Sequence, residues 1–312
     1  MDAVYHSRMF TSPASVESDR AMIHRPATEK SGPISIACGD GFELGGFVFA
    51  PSDDCVNRQQ IAIICPATAV AQTFYFSFAK FLAAHGIIAL VYDYRGVGKS
   101  RPPSLKGFDA SLQHWADDLG AVTRYARRQW PASDIAIVGH SLGGLLALVN
   151  PEKQSVTRVV TIGSQMSYWK DWPLRVRYGR ALLWHVFFPA LTRVFGYLPV
   201  RRLNMGEDLP YRFALEWASC WRSRNELLQH LSGDRSLSMP SELVVIGISD
   251  DDIATPAAIR ALHRSVIARR VTEHWIHPNE HDLPALGHFD LFREKIAAHI
   301  WPSLLSLVSQ RA

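Results

Sequence analysis

Several absences narrow what this sequence encodes. Four cysteines in 312 residues (Cys38, Cys55, Cys65 and Cys220) are too few for a disulfide scaffold, and no pair has metal-like spacing. There is no strong excess of either charge: 33 basic against 29 acidic residues leave a net +4, too little to announce a nucleic-acid binder. Hydrophobic residues make up 47% and charged residues 20%, which excludes wholesale disorder, collagen-like repeats and a coiled coil. No internal repeat or low-complexity tract occurs. Residues 1–33 carry Asp2, Glu17, Asp19 and Glu29 and lack the apolar run of about 7–15 residues of a secretory leader, so they read as a mobile polar arm. Ala181–Val200 is the longest apolar stretch, but His185, Pro189, Arg193, Gly196 and Pro199 interrupt it where a spanning helix needs about 20 uninterrupted positions. It reads as a buried or interface-facing helical hairpin, and the expected location is cytoplasmic.

What is present is an alternation. Ile34–Cys38 and Phe42–Phe49, around Gly39-Asp40-Gly41, predict a β-hairpin. Ile61–Cys65, Ile87–Tyr92, Asp134–Val138 and Arg158–Ile162 are short apolar runs suited to strands buried on both faces. Between them, Phe74–Ala84 ends at Gly86 as a helix should, and Ser111–Arg128 lines Trp115, Leu119, Val122 and Tyr125 along one stripe. Later segments predict strand at Leu243–Ile246, helix at Pro256–Arg269, strand at Val271–Ile276 and helix at Phe289–Val308. Strand–helix alternation of this kind means a mostly parallel sheet with helices on both faces. It fails once, between about residues 165 and 240, so the two units that roughly 150 residues per domain suggests become one core (34–165 and 240–312) and one helical cap (166–239).

Gly139-His140-Ser141-Leu142-Gly143 fits G-x-S-x-G, a pattern that chance produces in roughly one chain in ten. Its position is more telling: a buried strand runs into it and a helix leaves it. Such a strained turn lifts a serine hydroxyl clear of the sheet, above a helix N-terminus that favours negative charge. Serine needs a base oriented by an acid, and in this topology both follow late strands, acid first. Asp250-Asp251-Asp252 follows the strand Leu243–Ile246, and Gly287-His288 ends the loop after Val271–Ile276.

On these motifs, with Asp93-Tyr94-Arg95-Gly96-Val97-Gly98-Lys99-Ser100 after an earlier strand, the chain resembles the serine α/β-hydrolases over about residues 34–165 and 240–308. Within them it is similar to bacterial hydrolases of the serine aminopeptidase-like and lysophospholipase-like group. The resemblance implies an α/β-hydrolase fold with a cap inserted between late strands, Ser141 as nucleophile, His288 as base, and an acid from the aspartate run. Asp251 fits the family pattern of Asp, any residue, then two apolar residues (Asp251-Asp252-Ile253-Ala254); Asp250 fits the spacing from Gly247. The remaining carboxylates are expected to be solvated or to cap the helix near Pro256. The oxyanion hole is expected from the backbone N–H of Leu142 and one from Pro66-Ala67-Thr68-Ala69, a departure from the His-Gly of many relatives. Thr68 takes the donor position on that alignment, with Ala69 as the alternative. No metal or organic cofactor is implied.

Other features have plainer readings. His274, His277 and His281 do not converge on a metal, because a strand sends the first two to opposite faces and Pro278 breaks a helix. Arg95 reads as an ion-pair partner in a loop beside the elbow, and His140 as structural. Five of nine tryptophans (Trp169, Trp172, Trp184, Trp217 and Trp221) lie in the cap, where residues 170–235 hold eleven Lys/Arg against six Asp/Glu. Those arginines are either solvated or meet an anionic head group or a membrane surface. The expected substrate is a small-molecule ester or lipid-like molecule with an apolar acyl chain, cleaved through an acyl-enzyme. An aminopeptidase would need Glu207, Asp208 or Glu216 facing the cleft to hold an amine. A thioesterase, an acyltransferase or a non-catalytic ligand-binding protein could share the fold.

Overall fold

Continuously apolar segments become the centre of a single sheet. The structure, a computed structural model, describes residues 31–309 apart from 54, 56–57, 167, 221–230 and 232–236. The hairpin forms from β1 (Gly32–Ala37) and β2 (Glu43–Phe49); it starts within the expected arm, whose residues 1–30 lie outside the described residues. There follow β3 (Gln60–Cys65), α1 (Phe76–Ala84), β4 (Ile88–Tyr92), α2 (Leu112–Gln129), β5 (Asp134–His140), α3 (Leu142–Leu148) and β6 (Arg158–Ile162). An insertion then carries α4 (Leu174–Leu182), a π-helical turn (Leu183–Phe187), α5 (Phe188–Phe195), the two-stranded ribbon β7 (Tyr197–Leu198) and β8 (Leu209–Pro210), and α6 (Tyr211–Cys220). The chain closes with β9 (Leu237–Ile248), α7 (Pro256–His263), β10 (Val266–Ile276) and α8 (Ala297–Ser309).

Eight strands run in the order β1-β2-β4-β3-β5-β6-β9-β10, antiparallel at β1/β2 and β2/β4 and parallel elsewhere. Alternate residues of β3 feed two separate cores. Ile61, Ile63 and Cys65 join α2, α3 and α7 on one face, while Ala62 and Ile64 join Phe78 and Leu82 of α1 and Trp301 and Leu304 of α8 on the other. At roughly 25 cal/mol per Å² of apolar area removed from water, this double burial is the main favourable contribution to the fold. The α2 stripe is as its spacing predicts, with Trp115, Leu119 and Val122 fully buried and the Ser111 hydroxyl accepting the His114 amide as an N-cap.

Four element expectations need correcting. Helix α7 stops at His263, and residues 266–269 are strand, because β10 pairs with β9 from Val266↔Leu237 to Ile276↔Ile248 across a bulge at Ala268/Arg270. β9 begins at Leu237, not Leu243, its first turn alternating buried Leu237 and Met239 with exposed Ser238 and Pro240. The stretch Phe289–Val308 is not one helix: Arg293 is extended (ψ 140°) and separates a 3-10 turn, Asp290–Phe292, from a second, Glu294–Ile296, that leads into α8. Nor is Ala181–Val200 a hairpin. Leu174–Phe195 is one helical run that ends at Gly196, which takes the left-handed conformation (φ 75°) open to glycine. No helix among the described residues is long and apolar enough to cross a membrane.

Candidate active site

Ser141 sits between the last residue of β5 and the first of α3, at φ 55° and ψ −118°, a region that L side chains rarely occupy. The turn closes only because its neighbours are glycines: a Cβ on Gly143 would lie 2.3 Å from the Cys65 carbonyl oxygen at the end of β3. That contact brings the N-terminus of α3, and the Leu142 amide with it, against the turn after β3. In that turn the Ala67 N–H is taken by Tyr75 Oη at 2.9 Å, and Thr68 and Ala69, which also line the cavity, follow it (Ala69 at φ 60°).

The run of three aspartates separates into three tasks. Asp251 Oδ2 accepts from His288 Nδ1 at 2.6 Å, and its Oδ1 accepts the amides of Ile253 and Ala254, both at 2.8 Å. Burial pushes this carboxyl up, but His288 and the two amides outweigh it and hold Asp251 below the usual carboxylate range. Asp250 accepts the amides of Leu286 (2.9 Å) and Gly287 (3.0 Å), fixing the loop that delivers His288. Asp252 pairs with Arg180 of α4 at 2.9 Å. None caps α7; that task falls to Thr255, whose hydroxyl accepts the Ala258 amide. Gly163, at the end of β6, backs the His288–Asp251 pair: a Cβ there would lie 3.2 Å from His288 Cε1 and 3.3 Å from Asp251 Oδ2.

His140 is fully buried and holds both sides of the site together. Its Nε2 donates to the His288 carbonyl at 2.9 Å, since a carbonyl only accepts, and its Nδ1 accepts from Tyr75 Oη at 2.8 Å. Burial lowers its pKa to about 3, so the ring is neutral. A hydrogen-bonded chain therefore runs from the Ala67 amide through Tyr75 and His140 to the backbone of His288. Arg95 binds Asp118 through Nε (2.9 Å) and Nη2 (2.6 Å) and Asp40 through Nη1, tying the loop after β4 to α2.

Ser141 and His288 line one cavity of about 320 Å³ with Ala67, Thr68 and Ala69. The rest of its wall comes mainly from the insertion: Trp184, Phe188, Leu198, Val200, Met205, Leu209 and Trp217, with Ile253 and Phe289 from the core. Trp184 and Trp217 meet edge to face at 6.2 Å; Trp172 instead packs on the acid loop, its Nε1 donating to the Ile253 carbonyl, and Trp221 lies outside the described residues. The insertion also touches the turn after β3, where the Glu207 amide donates to the Ala69 carbonyl at 2.7 Å. Two polar groups at this apolar wall have no hydrogen-bond partner among the described residues: Gln165 Oε1, on a residue 6% exposed, and Thr68 Oγ1. Sequence reasoning passed over Gln165; its place three residues beyond an apolar strand that pairs with the elbow strand was the available signal.

The carboxylates of Glu207, Asp208 and Glu216 are engaged away from the cavity. Glu207 pairs with Arg201, Asp208 accepts from the Arg201 amide (2.9 Å) and from Arg101 (3.0 Å), and Glu216 accepts from the Leu112 amide and from Arg212 (both 2.8 Å). An amine anchor from these residues is therefore not at the cleft.

A parallel sheet with helices on both faces and a serine on the strand–helix elbow defines an α/β-hydrolase. The family of serine aminopeptidases, S33, matches residues 57–285, and the chain belongs to it. No curated protein matches this chain. Among solved structures it is similar to a hypothetical protein from Pseudomonas aeruginosa (15% identity, TM-score 0.61, 96% of this chain and 99% of that one). It is also similar to an esterase from Exiguobacterium antarcticum (14%, 0.60, 89% and 100%) and to an α/β serine hydrolase without lid from Xanthomonas campestris (15%, 0.52, 89% and 92%). At these identities the likeness shows the fold alone.

Proposed function

We propose that this hydrolase cleaves carboxylic esters with an apolar acyl chain through an acyl-enzyme on Ser141, Asp251 and His288. The observation that carries the reading is that Ser141 and the Asp251-bound His288 share one apolar cavity at the elbow. His288 takes the Ser141 proton as Oγ attacks the acyl carbon, and Asp251 holds the ring with Nε2 directed to that task. The Leu142 amide and that of Thr68, or Ala69 beside it, stabilise the oxyanion. His288 returns the proton to the leaving alcohol, then activates the water that releases the acid.

The wall of tryptophan, phenylalanine and leucine supports an acyl chain over a charged amine, and the occupied carboxylates of the insertion weigh against aminopeptidase activity. The insertion acts as the lid that sets substrate range. Labelling with a fluorophosphonate at neutral pH tests the reading. Wild type is expected to label and Ser141→Ala to remain unlabelled; an unlabelled wild type sinks the acyl-enzyme.

A further inference from the structure

The outer face of the insertion is apolar where a water-facing helix is ordinarily polar. Of twelve large apolar side chains exposed among the described residues, nine fall between residues 174 and 211. Six lie on the helical run of α4, the π turn and α5: Leu174, Tyr178, Leu182, Val186, Phe187 and Val194, each 54–78% exposed. Four of them (174, 178, 182 and 186) recur at intervals of four, which keeps them on neighbouring parts of one face. The other exposed positions of the run are Gly179, Ala190, Arg175 and Arg193, so this face holds no acid and no uncharged polar side chain. Arg175 and Arg193 sit towards its two ends and form no ion pair among the described residues.

The charge pattern says what covers it. From residue 172 to residue 206 the sequence has six arginines and no Asp or Glu. An apolar stripe whose own exposed charges are only Arg175 and Arg193, with Asp171, Asp250 and Asp252 confined to the pocket behind Arg175 at one end, matches a bilayer surface with anionic headgroups: hydrocarbon beneath, phosphate at the rim. A second copy docking by the same face would set Arg175 and Arg193 against arginines, and a protein partner would have to bring acids of its own to meet them. The inner side of the same run, Trp184 and Phe188, lines the cavity, and Met205, half exposed, belongs to both cavity and surface.

We propose that the outer face of residues 174–194 is an interfacial docking surface for an anionic lipid bilayer, placing the cavity mouth at Met205 beside the membrane. The run lies in the headgroup plane and does not span. Docking rests on its own observations; its coupling to catalysis rests on the ester-hydrolase reading.

Flotation of the full chain with vesicles separates the alternatives. Vesicles of phosphatidylcholine with about a third phosphatidylglycerol are expected to carry the protein, and pure phosphatidylcholine vesicles to carry much less. Leu182→Glu/Phe187→Glu should abolish flotation, and Arg175→Ser/Arg193→Ser should weaken it roughly 25-fold, about five-fold per arginine. Neither pair lines the cavity, so hydrolysis of dissolved p-nitrophenyl butyrate should be unchanged in both, which also reports that they fold. Ser141→Ala should float like wild type, so a failed hydrolase reading leaves this test intact. Wild type that stays off anionic vesicles, or variants that float equally well, overturns the proposal. A dimer seen by sedimentation velocity and lost in the Leu182/Phe187 variant, with no flotation of wild type, also overturns it and gives the surface to a second copy.

Discussion

Asp250, Asp251 and Asp252 carry identical side chains, and the direction each takes as the chain leaves β9 decides its partner. Asp251 turns inward and meets His288, while its neighbours turn to the loop before His288 and to Arg180. Asp251→Asn should lower kcat by about 10⁴-fold, the size of effect that follows losing the orienting carboxylate of a triad. Asp250→Asn keeps an acceptor for one of the Leu286 and Gly287 amides, which Asp250 meets with separate oxygens, and loses the other. It should stay within roughly ten-fold of wild-type kcat and lose only about 1 kcal/mol of stability, as for one lost hydrogen bond. Steady-state kinetics and urea denaturation of the two variants check both, and the reverse ranking would move the acid to Asp250. Ser141 and His288 were legible because each is set by a local signal, a glycine-flanked turn and a Gly-His pair. Which aspartate pairs was not settled by spacing, since adjacent positions differ only in a backbone direction that the fold supplies.

At the level of elements, the buried strands could be read because both their faces are apolar. The end of α7 and the start of β10 could not. Ile267-Ala268-Arg269-Arg270 has no period of its own, and becomes strand because β9 pairs with it on the outside of the sheet on either side of the bulge at Ala268/Arg270. The junction where β6 hands over to the insertion was equally silent, although it carries Gly163 behind the His288–Asp251 pair and Gln165 at the cavity. A buried carboxamide oxygen without a partner favours a substrate that supplies a donor, because leaving it unpaired costs about 1–3 kcal/mol. Wild type should therefore hydrolyse a hydroxylated acyl ester, such as p-nitrophenyl 3-hydroxybutyrate, with a higher kcat/KM than the butyrate. Gln165→Leu should erase that preference by roughly ten-fold or more. Equal ratios in the two proteins would remove Gln165 from substrate recognition.

For the molecule as a whole, two neutral histidines, the fully buried His140 and the partly buried His263, tie stability to pH. His140 is lowered to about 3 and His263 to about 4 by burial, against 6.5 for an unfolded histidine. Between about pH 4 and 6.5 the unfolded chain binds protons that the folded chain refuses, so stability falls as pH falls, by up to about 1.4 kcal/mol per pH unit for each ring. Asp251, held below its ordinary value, acts in the same direction at lower pH still, since its contribution is present above the unfolded pKa and lost on acidification. Urea midpoints from pH 7 to 5 should drop less steeply in His140→Gln, which keeps a donor for the His288 carbonyl; parallel slopes would contradict the assignment. The insertion has its own consequence at this scale. It leaves from the end of β6 and the chain returns in β9, and these two strands are paired neighbours, Arg158↔Glu242 to Ile162↔Ile246. Joining adjacent strands by a longer or shorter excursion changes the loop-closure entropy by only about 0.6 kcal/mol per doubling. A lineage can therefore rewrite the apolar wall of the cavity, by insertion or deletion, while Ser141, Asp251 and His288 stay on elements that do not have to change.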